Sequence, residues 1–176
     1  MFAKNHDIKK RQQTGITLIE LLIVLFVLAV LSVVAISSYR QYVFTAKQAQ
    51  VKVDMLNLSA QLESWRSQTL TYSGFVPKNG YDNKALTLVN SPVGSTKDTA
   101  DYHIMLKTIN NGQVTVLGGQ LATNWVMLAT PTPQNEKLGL YSYALTSTGI
   151  QCASNVPIQA NRVWAMADCG EWSSAW

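Results

Sequence analysis

One run of the chain is so apolar that it restricts the folds open to the remainder. Ile16–Ile36 contains only three polar residues, which are Thr17, Glu20 and Ser32. As a helix rising about 1.5 Å per residue, the run is roughly 31 Å long, enough to cross the hydrocarbon core of a bilayer. A helix also satisfies its backbone polar groups internally, as lipid requires. The sequence therefore predicts one membrane-spanning helix.

The net charge is concentrated just before this run. Four basic residues and one acidic residue precede Ile16, so +3 of the net charge of +4 lies there and +1 remains for the rest. They are Lys4, Lys9, Lys10 and Arg11, against Asp7. Basic residues beside an apolar helix keep that end in the cytoplasm. The remaining residues show no cluster of Lys and Arg that would indicate a nucleic-acid surface.

Three simple interpretations of the run leave Glu20 unexplained. The run could be a secretory signal peptide cleaved near Val34–Ser37, a plain membrane anchor, or a buried core helix. An acidic side chain at the centre of a spanning segment costs on the order of 2.5–3.5 kcal/mol, and less near its end. Such a residue is usually paired with a cation.

Cleavage of the chain between Gly15 and Ile16 would create that cation. The new α-amino group would stand four residues before Glu20, at the start of a helix, where the macrodipole also favours a carboxylate. The amine could belong to the same chain or to a neighbour. If the amine belongs to a neighbour, its pairing with Glu20 would fix the register between packed subunits. We call this role of Glu20 a register pin.

The residues around this position carry a family resemblance. Gly15-Ile16-Thr17-Leu18-Ile19-Glu20, preceded by basic residues, resembles the class III signal of type IV pilins and pseudopilins. The resemblance implies that prepilin peptidase removes the leader after Gly15, that Ile16 is N-methylated, and that Glu20 is the assembly glutamate. Ile16 replaces the usual Phe, and Ser37 stands where many pilins have Pro.

A second, looser match concerns the end of the helix. Leu62-Glu63-Ser64-Trp65, followed by Thr71-Tyr72, resembles the corresponding stretch of PilE-type minor pilins. This match favours a minor over a major pilin.

The predicted fold class is α+β, with one long N-terminal helix packed on an antiparallel β-sheet, as in pilins. The spanning half of the helix continues into an amphipathic half whose apolar side covers the sheet. That side is predicted to combine Ala46, Ala49, Val53, Leu56 and Ala60 with Val51, Met55, Leu58, Leu62 and Trp65.

The expected regions are a leader at 1–15, a transmembrane or filament-core helix at 16–37, an amphipathic helix at 38–68, a variable loop at 69–100, and a sheet with a C-terminal disulfide loop at 101–176.

Four strands are predicted from alternation of apolar residues and from turn residues between them. They are Tyr102–Ile109, Gln113–Leu117, Trp125–Thr130 and Leu140–Thr146. Connections this short favour a meander of antiparallel strands against the helix.

The two cysteines, Cys152 and Cys169, are predicted to form a disulfide, because their number is even and the chain is predicted to be exported. Closing this loop would remove roughly 3 kcal/mol of unfolded-state entropy, in a model-dependent estimate. The resemblance implies the D-region, the disulfide-bounded loop of pilins.

Residues suited to catalysis are sparse. The only histidines are His6, in the expected leader, and His103, in a predicted strand, which leaves no second His for a triad or a metal site. Asp98 and Asp101 have too few oxygens around them for a calcium loop. The tryptophans Trp125, Trp164, Trp172 and Trp176 are expected in the sheet core. We therefore expect no enzyme activity, no cofactor and no metal.

The resemblance implies a structural function and a set of partners. A minor pilin is held in the inner membrane by a single pass, with its C-terminal domain in the periplasm, and then moves into a cell-surface pilus. Its partners would be other pilins, the prepilin peptidase and methyltransferase, the inner-membrane assembly platform, and the membrane before assembly. Such filaments serve adhesion, twitching motility or DNA uptake.

Other functions remain open at this point. A type II secretion pseudopilin is disfavoured by the disulfide and by the lack of acidic calcium ligands late in the chain. A filament-tip module for adhesion or DNA binding is a further alternative, although the low charge after Ile16 does not support nucleic-acid binding. A membrane-anchored hydrolase lacks catalytic groups.

Overall fold

The computed structural model of the protein describes residues 15–78, 89–110, 113–115, 117, 122–155, 169 and 176. The helices are α1 (Leu18–Thr69) and α2 (Pro133–Glu136). The strands are β1 (Val89–Ser91), β2 (Tyr102–Asn110), β3 (Gln113–Thr115), β4 (Val126–Pro131), β5 (Ser142–Thr146) and β6 (Gln151–Ser154). The predicted α+β class, with its long N-terminal helix, is confirmed.

The chain divides into two compact units, with the boundary inside α1 after Tyr42. In the first unit, every described residue from Gly15 to Tyr42 is exposed. This part of α1 contains the one described segment that is long and apolar enough to cross a membrane. Its apolar side chains are therefore not covered by any of the described residues.

In the second unit, the remainder of α1 packs on an antiparallel sheet with the strand order β1-β2-β4-β5-β6. β3 stands outside this order and pairs with the end of β2, where Asn110 is opposite Gln113. The central register places Tyr102 opposite Pro131 and Ala144 opposite Cys152. All these neighbours are antiparallel, as a meander requires.

The two faces of the sheet are both apolar but pack differently. The face toward α1 supplies Ile104, Met127 and Leu145 to the main core, where they meet the helix. The opposite face carries a smaller buried cluster of Val126, Leu128, Ala144 and Cys152. The alternation of side chains along each strand separates the two sets.

The predicted apolar side of α1 is right in one part and wrong in another. Val51, Met55, Leu58 and Leu62 are buried against the sheet. The other predicted stripe is exposed; its members are Ala46, Ala49, Val53, Leu56 and Ala60. At 3.6 residues per turn the two stripes lie on opposite sides of the helix. The stripe with the larger side chains is buried, because burial stabilises in proportion to apolar area.

The predicted strands correspond to β2, β3, β4 and β5, with ends displaced by one or two residues. Trp125 and Leu140 lie just outside β4 and β5, although both are buried. β1 falls in the region predicted as a loop, and β6 was not predicted. Each is only three or four residues long, and each forms through pairing with a strand already in the sheet.

Two tyrosines at the centre of the core have no contact with water. Tyr102 and Tyr143 are almost completely buried, with ring centroids 6.2 Å apart. The Tyr102 hydroxyl has no hydrogen-bond partner in the described part of the chain. Burial raises the pKa of both phenols, that of Tyr143 to about 12.

These raised pKa values predict a loss of stability in alkali. Above pH 10.0, the ordinary pKa, the unfolded chain releases phenolic protons that the folded chain keeps up to about pH 12 for Tyr143. The free energy of unfolding should then fall by about 1.4 kcal/mol per pH unit for each buried tyrosine. Urea unfolding of the full chain in detergent micelles, followed by circular dichroism between pH 9 and 11, measures this slope.

Matched substitutions separate the contributions. Tyr102→Phe removes a buried hydroxyl without a partner, so it should raise stability at neutral pH by about 1 kcal/mol and make the alkaline slope shallower. Tyr39→Phe, at a tyrosine that is 68% exposed, is the control and should change neither quantity. An unchanged alkaline slope in Tyr102→Phe would contradict the raised pKa of the Tyr102 phenol.

Candidate functional site

The first turn of α1 contains a helix cap that the sequence analysis did not identify. Thr17 precedes Leu18, the first helical residue, and its Oγ1 accepts the backbone N–H of Glu20 at 3.3 Å. Thr17-Leu18-Ile19-Glu20 has the sequence of a capping box, a signal that could have been read from the spacing of Thr and Glu. Glu20 therefore lies in the first turn, where the helix macrodipole favours a carboxylate.

The residues of the predicted cleavage position are open to solvent. Ile16 is 77% exposed, and Glu20 is also exposed. A Cβ added at Gly15 would meet no atom within 4 Å. Packing within the described chain therefore gives no reason for glycine at this position.

The exposed apolar surface of α1 is the largest feature that the single chain leaves without a partner among its described residues. Within the second unit this surface is the stripe Ala46–Ala60, opposite the sheet-facing side, where Val53 and Leu56 are about half exposed. Contiguous apolar surface of this kind marks a contact with lipid or with another protein. We call the set Ala46, Ala49, Val53, Leu56 and Ala60 the outer stripe.

A polar cluster fastens α1 to the β1–β2 connection and to α2. Lys47 Nζ lies 2.6 Å from Asp101 Oδ1 and donates to Asn135 Oδ1 at 3.0 Å. Asn135 Nδ2 in turn donates to Asp101 Oδ1 at 3.0 Å and to Thr132 Oγ1 at 3.0 Å. These directional contacts fix the rotation of α1 about its own axis relative to the sheet.

A second polar contact joins α1 to β1. Asp54 is only 5% exposed, and both of its carboxylate oxygens accept hydrogen bonds. Ser91 Oγ donates to Oδ2 at 2.6 Å, and Gln50 Nε2 donates to Oδ1 at 2.9 Å. A buried carboxylate is tolerated only when its lone pairs are satisfied in this way.

A third contact closes the C-terminal end of α1. Glu63 Oε1 accepts the Tyr72 hydroxyl at 2.7 Å and the Trp125 Nε1–H at 3.3 Å. Arg66 Nη1 donates to the same Tyr72 oxygen at 3.2 Å. The motif residues Glu63 and Tyr72, singled out in the sequence, are thus brought together by the fold.

The predicted disulfide between Cys152 and Cys169 is present, with Cα atoms 5.5 Å apart. Cys152 is fully buried on the sheet face away from α1. The bond therefore fastens the C-terminal segment to that face. The residues between them from 156 to 168 lie outside the described part of the chain.

Two of the four tryptophans singled out in the sequence are described. Trp125 is buried in the main core, and Trp176 packs edge to face on Tyr143 at 5.8 Å. Lys52 Nζ stands 5.0 Å from the centre of the Tyr143 ring and 5.5 Å from that of Trp176. Trp164 and Trp172 are outside the described residues.

Among the described residues, no group of three or more His, Cys, Asp and Glu is arranged to hold a metal ion. His103 Nδ1 is hydrogen bonded to Asn90 Oδ1 at 3.0 Å, on the strand beside it. Asp101 is occupied by Lys47, and Asp98 is exposed. His6 lies outside the described part of the chain.

Exposed charges of both signs are mixed in the second unit. Lys97 is followed by Asp98, and Lys137 is preceded by Glu136; all four side chains are exposed. Such adjacent opposite charges do not form a strongly positive patch. A polyanion would therefore find few phosphate contacts on these residues.

Two protein-family sequence models match the chain. The one described as "Type IV minor pilin ComP, DNA uptake sequence receptor" matches residues 37–173. The one described as "Prokaryotic N-terminal methylation motif" matches residues 10–36. Comparison with curated proteins and with solved structures gives no match.

Proposed function

The chain belongs to the family of the type IV minor pilin ComP, DNA uptake sequence receptor, and we propose that it enters a type IV pilus as a minor subunit and there binds DNA for uptake. As a subunit that packs and binds, it needs no catalytic group, and we propose that it is not an enzyme. The family match favours a pilus subunit over a type II secretion pseudopilin.

The outer stripe of α1 is the observation that supports assembly of the chain into a filament. Its residues are exposed on the side of the helix away from the sheet, so a single chain leaves them in water. Burying a Val or Leu side chain stabilises by about 1.5–3 kcal/mol. Helices of neighbouring pilins are the proposed partner, because the same helix carries the exposed apolar segment Ile16–Ile36 that must exchange lipid for protein.

Processing is the second part of the proposal. The prepilin peptidase cuts after Gly15 and the new amine of Ile16 is methylated, which the match of residues 10–36 to a methylation motif supports. The amine then pairs with Glu20 of a neighbouring subunit. Before assembly the chain spans the inner membrane once with its folded unit in the periplasm, where a disulfide is stable.

Substitution of Glu20 tests the pairing. Glu20→Ala should leave a cleaved and membrane-embedded protein that is incorporated into pili poorly, because the neighbour's amine has no partner. Glu20→Gln keeps hydrogen-bonding capacity in the helix cap but removes the charge, so it should fail in the same way. Immunoblots of sheared pili against whole cells measure incorporation, and mass spectrometry of the N-terminus verifies methylated Ile16. Normal incorporation of Glu20→Gln would refute the register pin.

Substitution in the outer stripe tests the packing. Val53→Glu places a charge where helices are proposed to meet, so incorporation should fall at least tenfold while the unfolding midpoint stays nearly unchanged. Gln61→Glu, at an exposed polar position on the same helix, is the control and should assemble normally. Equal incorporation of both variants would contradict a role for the outer stripe.

DNA binding has its own test. Because only +1 of net charge follows Gly15, we expect few phosphate contacts, and a log–log salt slope no steeper than about −3. Fluorescence anisotropy with the full chain in neutral detergent micelles, between 50 and 200 mM salt, measures affinity and slope. The duplex is selected with the wild-type chain from a random-sequence pool at the lowest salt. If no duplex is bound in that selection, the receptor function is contradicted.

A further inference from the structure

Leu70, the residue directly after α1, combines two unfavourable features. Its side chain is 88% exposed, the highest value among the large apolar side chains described. Its backbone has a φ of 61°, in the left-handed region, and it is the one described residue other than glycine with a positive φ. Helices that end in this conformation usually have Gly at this position, since a Cβ is strained there. Neither feature benefits the isolated fold.

The backbone on both sides of Leu70 is held in place. The Leu70 N–H donates to Arg66 O at 2.8 Å, which closes the last turn of the helix. Two residues later the Tyr72 N–H donates to Ala122 O at 2.9 Å, and the Gly74 N–H donates to Leu117 O at 3.0 Å. The exposed isobutyl group is therefore presented by a fixed backbone and not by a free loop.

One cationic side chain beside Leu70, that of Arg66, can contact a phosphate. Arg66, one helical turn earlier, is exposed and lies over the Tyr72 ring at 5.3 Å. One of its N–H groups donates to the Tyr72 hydroxyl, and the guanidinium keeps further donors for another partner. Glu63 is also exposed, and its Oε1 accepts hydrogen bonds from Tyr72 and Trp125, so this position offers a single phosphate contact and no strongly positive surface. Exposed Gln68 adds an uncharged hydrogen-bonding group, whereas the Ser67 and Thr69 hydroxyls already donate to backbone oxygens of the helix.

We propose that Leu70 is an apolar wedge that enters a base step of bound DNA, with Arg66 on an adjacent phosphate. Proteins that kink DNA insert Leu, Ile, Phe or Met between bases in this way and fix the register through nearby phosphate contacts. The inference rests on the proposed DNA-binding function and names the residues that contact the duplex. It explains why a strained, exposed leucine stands where glycine would be easier to accommodate.

The experiment uses the full chain in neutral detergent micelles and a duplex that the wild-type chain selects from a random-sequence pool. The duplex carries a fluorophore at each end, so energy transfer reports bending, and anisotropy reports affinity. Leu70→Gly should raise the unfolding midpoint by about 2–4 °C, because glycine accepts a positive φ, and yet weaken DNA binding about tenfold and abolish the bend.

Two further variants make the result specific. Arg66→Gln should weaken binding and reduce the magnitude of the salt slope by about 1. Leu138→Ala removes a leucine that is 65% exposed after α2, so it is the matched control and should bind and bend DNA as the wild type does.

Each outcome decides a separate point. If Leu70→Gly binds and bends DNA normally, the wedge is wrong while the receptor function stands. If the wild-type chain selects no duplex, the proposed DNA-binding function itself fails, and the wedge with it. If Leu70→Gly loses only incorporation into pili, the side chain contacts a protein subunit, and the DNA proposal is overturned.

Discussion

The side of α1 that packs against the sheet determines what the rest of the molecule can contact. Val51, Met55, Leu58 and Leu62 are between 0% and 3% exposed and enter one core with the helix-facing strand residues. Because successive residues rotate by a fixed angle about the helix axis, burying these four leaves Val53 and Leu56 on the opposite side. The outer stripe is thus a consequence of the core, and its direction relative to the sheet is fixed.

Three polar contacts prevent the helix from rotating on its apolar surface. Apolar packing is weakly directional and tolerates shifted registers. Lys47, Asp54 and Glu63 instead reach three separate places, the β1–β2 connection, β1, and the start of β4. Directional polar contacts such as these favour one rotation of the helix over the others, and one of them, at Asp54, is buried. For a subunit whose helix must align with many others, a unique orientation of the outer stripe is the useful property.

Features with a local signal in the sequence could be predicted, and features that depend on pairing between distant residues could not. The spanning segment and four of the strands follow from composition and alternation along the chain. Periodicity also detected both stripes of α1, but spacing alone does not tell which one the sheet buries, because alanines at perfect helical spacing contribute little area. β1 could not be predicted, since three residues acquire strand structure only by pairing with β2. The contact of Asp54 with Ser91 spans 37 residues and leaves no local pattern.

The proposed function requires one subunit both to pack beside others in a filament and to bind DNA. The low net charge and the exposed apolar residues are both consistent with this requirement. Copies of a strongly basic domain would repel one another and their neighbours in a filament, and the chain carries only +1 after Gly15. A receptor with so few cations cannot rely on phosphate attraction, which supplies most non-specific DNA binding. Discrimination must then come from contacts that carry no charge, such as hydrogen bonds to base edges and apolar contact with bases. An exposed leucine on a fixed backbone suits a surface that has to bind DNA without adding positive charge that would repel other subunits in the filament.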